Sequence, residues 1–100
     1  MRKHFVRILP SAKKDTYEAR KWYRQYNEEL SVRFKEELRL TVEALKLRPP
    51  VHAIRYKHVR FAQLPTFPYA VHYFIDEVSF TVNIIAVVHT AINPLRWRVP

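Results

Sequence analysis

A chain of 100 residues that contains no glycine has few ways to turn sharply. Glycine reaches positive φ without steric cost, so the tight connections here must lean on Asn, Asp, Pro and ordinary residues. The same count excludes glycine-rich phosphate loops. What remains is a set of regular elements with short joints, and the length holds one core, hence a single domain over residues 1–100. With 48% hydrophobic and 14% aromatic residues, the chain carries enough apolar surface to fold. Cysteine is absent too, which removes disulfides, thiolate nucleophiles and cysteine-ligated zinc.

Phe5, Val6, Ile8 and Leu9 form a short apolar run closed by Pro10, the pattern of a strand. Ser11 reads as the N-cap of a helix in which Thr16, Ala19, Tyr23 and Tyr26 recur at three-to-four spacing, with Trp22 broadening the packed stripe. Asn27 reads as the cap of a second helix, with Glu28 and Glu29 in its first turn and Leu30, Phe34, Leu38, Thr41 and Leu45 along one face. Pro49 and Pro50 stop it, and the short joint between the helices predicts an antiparallel hairpin. Strands follow over 59–64, 69–75 and 80–88, with Asp76 and Glu77 in the last turn and the apolar run TVNIIAVVH as the central strand. The expectation is an α+β domain of order β-α-α-β-β-β, its antiparallel sheet packed against the helical hairpin.

The net charge is +9, and the first 26 residues hold eight Lys/Arg against two acidic residues, whereas residues 27–50 are balanced. Such an excess favours an acidic partner: nucleic acid, an acidic protein segment or anionic lipid. No 18-residue apolar stretch occurs and the start MRKHFVRILP has only a broken apolar run, so a cytoplasmic protein without membrane contact is expected. The five histidines lack the HExxH spacing that fixes zinc and a base, and neither metal nor cofactor is expected. His89, at a strand end, is the histidine best placed for acid-base work, with structural hydrogen bonding as the alternative. Asp76 and Glu77 are adjacent, a poor arrangement for opposed glycosidase carboxylates, and Ser11, Ser31 and Ser79 lack a nucleophile-elbow setting. A basic groove could draw on Arg55, Lys57 and Arg60 with Arg96 and Arg98; a solvated basic sheet edge is the alternative. Alternation places Lys57, Val59, Phe61 and Gln63 on one strand face and His58, Arg60, Ala62 and Leu64 on the other.

The order of elements and the strings VRFAQLPTFPYAVHYFID and NIIAVVHTAINPLRW resemble the RelE/ParE toxin superfamily, especially its ParE-like plasmid-stabilisation branch. Ser11, the Trp22-Tyr23 helix, the helix ending near Pro49, Phe67-Pro68-Tyr69, Tyr73, His89, Asn93-Pro94 and Trp97 occur in the order of that superfamily, across nearly the whole chain. The resemblance implies the toxin of a type II toxin-antitoxin system: a growth inhibitor paired with a small antitoxin whose disordered C-terminal region folds across it. It further implies inhibition of DNA gyrase by protein binding. The alternatives are ribosome-dependent cleavage of messenger RNA and an inactive relative that retains antitoxin binding or regulation.

Under the resemblance, Lys13, Arg20, Lys21 and Arg24 are expected to meet the antitoxin, and Arg60, Arg96, Trp97 and Arg98 the target. A ribonuclease would draw on Arg60, Tyr73 and His89, its cations orienting phosphate and its acid-base groups assisting 2′-hydroxyl attack. Two positions depart from the superfamily pattern. Ala91 and Ile92 stand before Asn93-Pro94 where a basic residue is usual, and Thr66 precedes Phe67 where ParE-like chains are often basic. The first departure weighs against a nuclease and motivates the inactive relative, and the second weighs against conventional toxicity.

Overall fold

The computed structural model describes residues 3–49 and 53–91. The elements are β1 (Phe5–Ile8), α1 (Pro10–Arg24), α2 (Glu28–Leu47), β2 (Ile54–Tyr56), β3 (Val59–Gln63), β4 (Tyr69–Asp76) and β5 (Thr81–His89). They form one sheet of order β1-β5-β4-β3-β2, with the TVNIIAVVH strand in the interior as its apolar run predicts.

The two helices and the later strands fall where periodicity and alternation place them. The structure adds two features to that reading. β2 is a further strand, three residues long and too short for alternation to show. β1 pairs with β5 in parallel, so the sheet is mixed. No hairpin joins these two strands, so no local turn dictates their direction.

Pro10 occupies the first helical turn of α1, where its missing N–H is no loss, and Leu9 is the N-cap residue without a side-chain cap. Ser11 is therefore not the cap. Its Oγ donates to the Ile85 carbonyl at 2.7 Å. Asn27 does cap α2, its Oδ1 accepting the Glu29 N–H at 2.7 Å. Trp22, expected to pack inward, is exposed, because α1 turns Ala12, Ala19 and Tyr23 to the core and Trp22 stands about 100° around the helix from Tyr23. Tyr26 is exposed as well.

One sheet face meets the helices: Ala62, Leu64, Val71, Tyr73, Val82, Ile84 and Val87 join Ala12, Ala19, Phe34 and Leu45 in the core. The β4–β5 register shifts between His72 and Tyr73, leaving Ile85 as an extra residue on β5. Beyond the end of β1, α1 serves the bulged edge of β5. Ser11 binds the Ile85 carbonyl there, and Asp15 Oδ2 accepts the Val87 N–H at 3.0 Å. The glycine-free turns leave their mark at Lys57 (φ 48°) and Phe80 (φ 57°), two ordinary residues in the left-handed region.

Candidate functional site

On the helix side, the hairpin leaves part of the sheet uncovered. A groove of about 720 Å³ has Val6, Ile8, Ile84 and Val87 at its base, Leu38 and Val42 on its α2 wall and Thr16 on α1. Lys3, Lys35, Arg39 and Lys46 also line it, with Glu43 among them. Arg39 and Lys46 are held by carboxylates of their own helix, Arg39 by Glu36 at 2.6 Å and Lys46 by Glu43 at 2.9 Å. These two pairs lower the Glu36 and Glu43 pKa values chiefly by side-chain hydrogen bonds.

The groove runs beside a sheet edge. Phe5 and Leu9 turn their N–H groups to β5, donating to the Phe80 and Ile84 carbonyls at 2.8 and 3.0 Å. By alternation, the Val6 and Ile8 backbone groups point the other way, where the described residues supply no further strand. The near end of that edge is closed by α2, since the His4 N–H donates to the Lys46 carbonyl at 2.8 Å. An apolar base, a basic rim and an open edge together suit a partner segment that is apolar on one side and acidic on the other.

The four α1 cations expected at the antitoxin divide between two sides of the helix. Lys13 and Arg20 are three residues before and four after Thr16, so they share its flank, next to the groove. Lys21 projects to solvent together with Lys14, and Arg24 pairs with Glu28 at 3.4 Å.

Arg60, Tyr73 and His89 do not converge. Arg60 stands opposite Tyr73 on β3 and β4, on the helix-side face. Tyr73 is fully buried and its hydroxyl donates to the Pro49 carbonyl. His89 is opposite Tyr69, four residues and thus about 13 Å along β4 from Tyr73. Its ring packs edge-on against Tyr69 at 5.0 Å, and its Nδ1 accepts the Ala91 N–H at 3.1 Å. Ile92, Asn93, Pro94, Arg96, Trp97 and Arg98 lie outside the described residues.

The sheet face turned away from the helices carries a constellation that spacing alone did not single out. Phe61 stacks on the buried His72 ring at 3.8 Å and 9°, the Arg55 guanidinium lies 5.5 Å from the Phe61 centroid, and Tyr56 meets Phe61 edge-on at 5.8 Å. Alternation does place Phe61 opposite Arg60 in facing. The partnership with His72 needs the β3–β4 register, which a single sequence does not display.

Two carboxylates fix loops. Glu37 Oε1 accepts the Thr66 and Phe67 N–H groups at 2.6 and 3.2 Å, tying the Pro65–Pro68 connection to α2. Desolvation by burial pushes its pKa up, but the hydrogen bonds from Thr66 and Phe67 outweigh it, and the net shift is downward. Asp76 is held low mainly by the Ser79 N–H and hydroxyl, with Val78 adding to them. Burial raises the Tyr69 and Tyr23 phenols, keeping both neutral. Among the described residues no cluster of three or more His, Asp or Glu is arranged to hold a metal, and no helix is long and apolar enough to cross a membrane.

A family model described as the ParE toxin of the type II toxin-antitoxin system parDE matches residues 6–94. Among solved structures, the fold is similar to one described as a chromosomal ParDE toxin-antitoxin system from P. aeruginosa, with a TM-score of 0.76 at 13% identity over 87% of this chain and 96% of that one. It is also similar to a structure of the RelBE2 toxin-antitoxin complex from Mycobacterium tuberculosis, with a TM-score of 0.61 at 20% identity over 89% and 93%. No curated protein sequence matches significantly.

Proposed function

This chain belongs to the ParE toxin family of type II toxin-antitoxin systems, and from that premise we propose that it arrests growth by binding DNA gyrase rather than by cutting RNA. The observation that carries the choice is the placement of Tyr73. A general acid or base must reach the proton it transfers. The Tyr73 hydroxyl instead donates to the Pro49 carbonyl inside the core, and His89 stands about 13 Å along the sheet from it. Arg60, Arg96, Trp97 and Arg98 are the residues proposed to contact the target.

Neutralisation is assigned to a cognate small antitoxin, a partner supported by the ParDE and RelBE2 toxin-antitoxin structures that the fold resembles. Its segment lies in the groove over β1, apolar side chains on Ile8, Leu38 and Val42, and acidic ones toward Lys35 and Arg39 on the rim, with Lys13 and Arg20 on the neighbouring flank of α1. Coupled folding of a disordered segment fits this geometry, since the open β1 edge can take backbone hydrogen bonds while the basic rim sets orientation.

The test is viable count after tightly controlled expression, with and without the neighbouring small reading frame of the native locus. Loss of viability rescued by the neighbour is the expected result; no loss from soluble, folded protein contradicts the toxin reading and favours an inactive relative, to which Thr66 and Ala91 already point. One observation favours the ribonuclease reading: the Arg55, Phe61 and His72 stack joins a cation, an aromatic face and an imidazole on the helix-free side of the sheet. Its discriminator is ribosome-dependent messenger cleavage, reduced by substitution of Arg55 if this face acts and by substitution of Arg60 or His89 if the helix-side residues do.

A further inference from the structure

Tyr17, Trp22 and Tyr26 are 65%, 51% and 66% exposed, all on α1 or within two residues of its end. Aromatic side chains contribute most of their energy when buried, and exposed groups of them mark interaction surfaces. Trp22 and Tyr26 are one helical turn apart and pack edge to face at 5.4 Å and 69°, so they form a fixed knob. Beside them a depression of about 470 Å³ is lined by Lys14, Tyr17, Lys21 and Trp22 among others.

This surface is distinct from the groove over β1. Thr16, which lines the groove, is six residues from Trp22 and so about 120° around the helix from it. A segment seated in the groove leaves the Trp22 side of α1 open to a second partner. The charge around the knob selects that partner. On this side of α1 Lys14 and Lys21 stand against Glu18, and the helix's other carboxylate, Asp15, is turned inward onto the Val87 N–H. Lys14 and Lys21 are two turns apart on the solvent crest. The rings of Trp22 and Tyr26 stand at 69° to each other, so they do not offer successive parallel faces for stacked bases. An acidic protein surface with an apolar recess fits both the cations and the knob, and Trp, Tyr and Arg are the residues that dominate such interfaces.

We propose that the solvent face of α1, centred on Trp22 and Tyr26 and flanked by Lys14 and Lys21, docks on an acidic surface of the protein that the toxin inhibits. The proposal rests on the toxin reading above and adds a contact surface to it.

The test compares the full-length chain with two double variants, Trp22→Ala with Tyr26→Ala and Lys14→Glu with Lys21→Glu. Each is measured for folding by circular dichroism, for viable count on expression, and for binding to immobilised gyrase holoenzyme, to the antitoxin and to a fluorescent 20-nucleotide oligo-dT. The expected result is folded variants that no longer arrest growth, with the aromatic pair binding gyrase roughly 30-fold or more weakly and the antitoxin as the wild type does. Variants that arrest growth like the wild type overturn the proposal. So does oligo-dT binding that falls in step with toxicity, which assigns the face to a polynucleotide. If the wild type arrests growth without binding gyrase and the variants do not arrest growth, the gyrase assignment fails and the α1 surface stands. A non-toxic wild type removes the toxin reading and this surface together.

Discussion

At the scale of single residues, Tyr73 separates a structural tyrosine from a catalytic one. Replacing it with Phe removes the bond to the Pro49 carbonyl and leaves that acceptor in the core, which costs about 1 to 2 kcal/mol. Denaturant melts should show that loss, while growth arrest per soluble molecule stays at the wild-type level. A larger fall in arrest than in soluble protein would return Tyr73 to the catalytic set. The glycine-free composition predicts a second effect. Lys57 holds φ 48° with an exposed side chain, so Lys57→Gly should raise stability by roughly 0.5 to 1 kcal/mol through relief of left-handed backbone strain. Phe80→Gly relieves the same kind of strain but loses the ring contact with His4 at 4.2 Å, and is expected to destabilise. Equal shifts in the two variants would argue against this reading. That ordinary residues occupy tight turns was legible from the missing glycine. Which ones was not, because Lys57 and Phe80 lie just outside β2 and β5, and a single sequence does not fix where those strands end.

At the scale of elements, the strongest periodic segments were readable and the shortest were not. Asn27, the two glutamates after it and the Phe34-Leu38-Leu45 stripe define α2 locally, and the structure uses each as the pattern implies. The parallel β1–β5 pairing depends on contacts distant in sequence, as does the clasp of Glu37 on the Thr66-Phe67 backbone, whereas β2 pairs with its neighbour β3 but is too short for alternation to show. That clasp carries a pH signature. A carboxylate whose folded pKa lies below its unfolded value contributes stability that is complete above the ordinary range of about 4 to 4.5 and is lost as pH falls through the folded value. Melting temperature should therefore hold from pH 7 to about pH 5 and fall below about pH 4, and Glu37→Gln should flatten part of that fall; an unchanged acid slope in the variant contradicts the clasp. The groove makes its own prediction. Lys35 and Arg39 are exposed on its rim, so Lys35→Glu with Arg39→Glu should weaken antitoxin binding by about tenfold or more, most strongly at low salt. Titration by calorimetry at two salt concentrations checks this, and wild-type affinity in both would move the antitoxin off this groove.

At the scale of the whole molecule, a family and a geometry meet in one small domain. Membership of the ParE toxin family makes the chain the toxin of a pair, and the sheet and hairpin present two separate surfaces, a groove over β1 and the outer face of α1. On the proposed function, the groove takes the neutralising partner and the α1 face is left for the target. The order of elements and the Phe67-Pro68-Tyr69 segment made the family readable from the chain. The surfaces were not readable, since they arise where α1 passes beyond the end of β1 and turns Trp22 outward. The most direct test of the central claim is a supercoiling assay with purified gyrase, run beside a translating extract programmed with a defined messenger. The expected result is loss of supercoiling as the toxin is titrated, recovery on adding the cognate antitoxin, and an intact messenger. Undiminished supercoiling together with a cut messenger would contradict it.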